Sequence, residues 1–188
     1  MRLWRPGLVL GVIGALALTA CTVRETSPPA AGSPVGQPPA PAPASAPAAT
    51  RPALCDGSQP AEQTPFPFNR DSGRRDTIAG AGARYLGGIS YFEDLDAAEL
   101  AALLDEKFID PRDQQNLAPS AWAIFRFLCE HPTVRAMGYV VSPDRGDYRT
   151  SITTVYAPRV DAGLRADAQA FCVDAEATFD GHLECFWD

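Results

Sequence analysis

Cysteine and histidine are the residue types here best suited to nucleophilic, redox or metal chemistry, and the 188-residue chain holds only five of the first and two of the second. Cys55, Cys129, Cys172 and Cys185 are widely spaced, with no C-x-x-C pair and no Cys/His cluster, so a zinc site is disfavoured. An even set of four in a small exported domain reads instead as two disulfides. Three pairings are open on sequence alone; Cys55 with Cys129 and Cys172 with Cys185 is the one preferred here. His131 precedes Pro132 at a helix end and His182 stands beside a turn, positions where the helix dipole and solvent account for a histidine without catalysis. Asp174, Glu176, Asp180, Glu184 and Asp188 crowd the C-terminus, but calcium asks for six or more oxygens from a dedicated loop. Arg145-Gly146-Asp147 matches a tripeptide read by integrins, yet Gly-Asp equally suits a hairpin turn. No G-x-S-x-G, S-x-x-K, H-E-x-x-H or P-loop occurs.

Cys21 differs from the other four. It follows Arg2, Arg5 and an apolar run from Leu8 to Leu18, the layout of a secretory signal and too short for a comfortable membrane span. Leu18-Thr19-Ala20-Cys21 resembles the lipobox of bacterial lipoproteins. The resemblance covers this export segment alone. It implies that residues 1–20 are removed, that Cys21 carries diacylglycerol and becomes the first residue, and that the protein sits on the extracytoplasmic side of a bacterial membrane. Two acyl chains on one residue anchor firmly where one does so marginally.

Residues 21–53 are then a tether. Pro, Ala, Ser, Thr and Gly dominate it, as in Gln37-Pro38-Pro39-Ala40-Pro41-Ala42-Pro43, and such sequence buries too little apolar surface to offset its ordering entropy. In extended polyproline form it reaches on the order of 90 Å. Arg2 and Arg5 leave with the signal while none of the 23 acidic residues does, moving the net charge from −7 to about −9. An acidic exported chain makes a poor ligand for nucleic acid or for anionic lipid, which select basic patches.

The elements that must position the remaining candidates follow from periodicity. Residues 54–83 show turn formers and little hydrophobic period, and read as an irregular segment pinned through Cys55 and Phe66 or Phe68. Residues 84–188 read as one α+β domain. Leu100, Leu103, Leu104 and Phe108 give a helix over 97–108 with Asp96 and Glu99 as its capping box. A second, over 120–130, is apolar nearly all round and therefore buried, leaving Arg126 in need of a partner. Residues 134–141 and 148–156 predict a β-hairpin, Asp161 caps a third helix over 162–171, and Asp180-Gly181 centres a second hairpin that pairs Phe179 with His182 and Glu176 with Cys185. The expected architecture is an antiparallel sheet of two hairpins, with room for an added edge strand within 84–92, covered by about three disulfide-braced helices.

Tyr139, Tyr148, Tyr156, Trp122, Phe186 and Trp187 belong mostly to the core, and any that share the outer face of the sheet make a patch for a protein, peptide or glycan. The expected function is a lipid-anchored, non-catalytic binding or accessory module of the cell envelope, with an envelope protein or cell-wall glycan as partner and no cofactor or metal. The alternative is an envelope hydrolase using carboxylates with His131 or His182.

Overall fold

The computed structural model describes residues 51–188, so the signal sequence, the lipidation expected at Cys21 and all but the last residues of the tether lie outside it. A 3-10 turn, Ala53–Asp56, opens the described chain. Helix α1 (Ser72–Ala79) and strand β1 (Ile89–Leu95) follow, then α2 (Ala97–Asp105), α3 (Ala121–Glu130), β2 (Arg135–Val141), β3 (Thr150–Ala157), α4 (Ala162–Phe171), β4 (Glu176–Thr178) and β5 (Leu183–Phe186). The strands form one antiparallel sheet in the order β1-β2-β3-β5-β4. The fold is therefore α+β, but the two hairpins and the edge strand join into a single five-stranded sheet, and the helices number four among the described residues.

Local chemistry sets the helix ends. Asp96 accepts from the N–H groups of Ala98 and Glu99 while the Glu99 carboxylate accepts from the Asp96 N–H, completing the capping box. The helix stops at Asp105, short of Phe108, because Lys107 takes a left-handed φ of 62°. Phe108 N–H then returns to the Leu103 carbonyl and Lys107 N–H to that of Leu104, a Schellman closure that turns Phe108 into the core. Ser120 and Asp161 cap α3 and α4 through the Ala123 and Leu164 N–H groups.

Helix α1 corrects the reading of 54–83 as irregular. Its buried positions are Arg75 and Ala79, and with a guanidinium where an apolar side chain ordinarily stands the hydrophobic period vanishes. Arg75 is fully buried and fully engaged: Nε donates to Asp76 Oδ1 (2.8 Å), Nη1 to the Val141 carbonyl (2.9 Å) and Nη2 to the Tyr85 hydroxyl (2.8 Å), which itself donates to Asp76. Burial of a charge on these terms is tolerable because each of the three guanidinium nitrogens finds an acceptor.

The register of the last hairpin also differs from expectation. Glu176 pairs with Phe186, Ala177 with Cys185 and Thr178 with Glu184, one residue away from the predicted alignment. Gly181, at φ 78°, sits midway in the five-residue connection between the last paired residues, Thr178 and Glu184, and an odd loop flips every side chain to the other face. Leu183 and Cys185 therefore point inward and Glu184 and Phe186 outward. Cys172, at the end of α4, bonds to Cys185 on β5, and Cys55 bonds to Cys129 at the end of α3. A turn from Ala175 N–H to the Cys172 carbonyl brings the helix end back over the sheet.

One core lies between the helices and the inner sheet face. Phe92, Leu95, Ala136, Val140, Ile152, Val155, Leu183 and Cys185 contribute from the strands, with the apolar sides of α2, α3 and α4 opposite. Gly138 belongs to that inner face by necessity: a Cβ there would stand 2.0 Å from the Ser151 carbonyl oxygen and 2.9 Å from Phe92 Cζ.

Candidate functional site

The outer sheet face carries the largest departure from ordinary surface. Strand alternation sends Tyr91 and Glu93 outward from β1, Met137 and Tyr139 from β2, Thr154 and Tyr156 from β3, and Glu184 and Phe186 from β5. None of these eight side chains joins the core cluster. Tyr91 is 66% exposed and Phe186 37%. Six of the eight, all but Tyr139 and Tyr156, line a depression of about 250 Å³ together with Phe92, Gly138 and the bulged Thr153. Met137 and Thr154, directly paired, make its floor. Its walls are alike: β1 supplies Tyr91 and Glu93, and β5 supplies Phe186 and Glu184, an aromatic and a carboxylate two residues apart on each side.

Both ends of the groove are closed by hydrogen bonds. At one end a bulge in β1 puts Asp94 at φ 65°, where its carboxylate accepts from the Tyr156 hydroxyl (2.8 Å) and lies 3.5 Å from Arg135 Nε. Burial and then this carboxylate push the Tyr156 phenol up to about 12. At the other end the loop joining α2 to α3 folds against the sheet. There the Tyr139 hydroxyl donates to Gln115 Oε1 (2.8 Å) and accepts from Arg149 Nη2 (3.0 Å). Asp113 in that loop is pushed up by burial, against which Ser151 and Arg149 act.

The residues singled out from sequence are scattered by the fold. His131 caps α3, packs on Phe127 (ring centres 4.6 Å apart) and has Nε2 3.4 Å from the exposed Asp167 carboxylate. It borders an open cleft of about 540 Å³ with Glu130, Thr133, Arg159 and Asp161. Asp161 is already used as the α4 cap. His182 lies in the β4–β5 loop, 4.0 Å from Glu184. Of the C-terminal carboxylates, Glu176 and Glu184 share the outer face, whereas Asp174, Asp180 and Asp188 are exposed outside the strands. Among the described residues no three His, Cys, Asp or Glu side chains are grouped to hold a metal ion, and no helix is long and apolar enough to cross a membrane.

Arg145 and Asp147 are tied to each other at 2.8 and 2.9 Å, and Arg149 adds a further bond to Asp147. These guanidiniums, Arg145 first, hold the Asp147 carboxyl well below the usual carboxylate range. The tripeptide's charges thus close on themselves. Trp122, Tyr148 and Trp187 are buried. Arg126 finds the Cys55 carbonyl and Glu130. Tyr91, Glu93 and Met137 were not among the residues singled out from sequence, although the out–in alternation of Tyr91, Phe92 and Glu93 was the available signal. No family model, curated protein or solved structure matches the chain.

Proposed function

We propose that this protein is an exported lipoprotein, anchored through diacylglycerol on Cys21 to the extracytoplasmic side of a bacterial membrane, whose folded domain is a non-catalytic binding module. The observation that carries the binding reading is the groove on the outer sheet face, where Tyr91, Met137 and Phe186 present apolar surface outside the core. Aromatic side chains supply much contact area at low conformational cost, and a sheet holds them at fixed spacing. The lipobox and the long Pro/Ala-rich stretch support a role that depends on placement at the membrane. For hydrolysis each histidine has one nearby acid, Asp167 or Glu184, and the cleft at His131 offers Thr133 as its hydroxyl.

The test is a photo-crosslinking residue placed at Tyr91 of the full chain and, separately, at the exposed Val173. Adducts with an envelope component are expected in intact cells from position 91 and not from position 173. Equal yields, or none at 91, would overturn the assignment of this face.

A further inference from the structure

Basic and acidic side chains across the described domain are extensively paired. Arg74 meets Glu106, Arg112 meets Asp110 and Glu62, Arg145 and Arg149 meet Asp147, and Arg135 meets Asp94. The glutamates at the groove are among the carboxylates of the described residues that have no arginine partner. Glu93 and Glu176 have no ion pair, and Glu184 has only His182 at 4.0 Å. Glu93 and Glu184 line opposite walls beside Tyr91 and Phe186, and Glu176 stands directly across from Phe186. Uncompensated carboxylates close to aromatic faces form a negative potential above a negative π surface, a combination that attracts cations and repels acids.

We infer that the groove binds an extended, basic and apolar segment of a partner protein, with its Lys or Arg side chains held between the carboxylates and the rings of Tyr91 and Phe186, and its apolar side chains on Met137. This rests on the proposed role of the sheet face as a binding surface and adds the chemistry of the occupant. Width agrees: β1 and β5 are separated by β2 and β3, so the wall backbones stand about 14 Å apart, enough for one extended chain with its side chains. Charge complementarity favours a cationic segment over a neutral glycan, which offers hydroxyl donors but no positive charge to the carboxylates. The partner's cations would raise the encounter rate and set specificity, and the effect should fade with salt.

The test uses the full mature chain with Cys21→Ser, labelled for NMR, and three probes: the peptides (Lys-Val)4 and (Glu-Val)4, and the tetramer of N-acetylglucosamine. The basic peptide is expected to shift the resonances of Tyr91, Met137 and Phe186 at low salt. The acidic peptide should leave them in place. Glu93→Gln with Glu184→Gln should weaken the basic peptide by about fivefold or more. Both carboxylates are exposed, so retained signal dispersion verifies the fold of the variant; Tyr91→Ala, at an exposed position, is the second variant and should weaken binding without unfolding. An unchanged affinity in the glutamine variant, or equal binding of both peptides, would overturn the inference. Shifts with the sugar and none with the basic peptide would also overturn it while leaving the binding role of this face standing. Failure of all three probes together with an empty crosslink at Tyr91 would remove both.

Discussion

The guanidinium carbon of Arg75 lies 4.4 Å from the centre of the Tyr148 ring, and both residues are buried. One belongs to α1, the other to the connection between β2 and β3, so a charged contact locks the N-terminal helix to the central hairpin. Arg70 approaches the same ring at 4.6 Å.

Arg75→Ala should therefore cost about 3–5 kcal/mol, because it leaves Asp76 Oδ1 and the Val141 carbonyl without the donor they share. Urea unfolding of the oxidised protein checks this through the midpoint. A change below about 1 kcal/mol would show that α1 is not cooperatively attached.

Thiol titration of the Cys21→Ser protein, unfolded but not reduced, should find no free thiol, given the bridges Cys55–Cys129 and Cys172–Cys185. The two differ in span, 74 residues against 13. Restriction of the unfolded chain then makes the first worth about 4.5 kcal/mol and the second about 3 kcal/mol. Paired Cys→Ala variants, compared by denaturant midpoint, should rank in that order.

Gly138→Ala should be severely destabilising, at or beyond the top of the usual 1–3 kcal/mol or so for overpacking, since the close neighbours are the Ser151 carbonyl and the Phe92 ring. Gly146→Ala meets nothing within 4 Å and should leave the melting temperature nearly unchanged.

Tyr156 should ionise near pH 12, later than an ordinary tyrosine, and Asp94→Asn should lower that value without restoring the ordinary one because burial is the larger cause. The neutral phenol is the form favoured in the folded state. Its contribution is complete below about pH 10, the unfolded value, and is lost as the pH rises toward 12. Absorbance titration near 295 nm, run on both proteins, reads the shift.

Replacing Cys21 with Ser should release the protein from membranes or leave an uncut precursor. Fractionation with an immunoblot decides it, and normal processing with unchanged retention would sink the anchor.

Legibility followed the range of the interactions. Asp96 with Glu99, and Asp161, announced two helix starts because capping is settled within one turn of chain. Helix α1 was hidden because its inward position is Arg75, whose acceptors include the Val141 carbonyl, 66 residues away. The register of β4 with β5 was missed by one residue, since Asp180-Gly181 suits a two-residue loop as well as the longer, odd-numbered one found.

Periodicity and capping alone determined that the chain folds as α+β and roughly where most helices and strands run. Which side chains share a surface was decided only in three dimensions. Tyr91 and Phe186 are 95 residues apart, and what places their walls on either side of Met137 is the strand order β1-β2-β3-β5-β4 together with the register of each pair. Hydrogen bonding between strands carries no trace in local sequence, so the groove exists only once the sheet has formed.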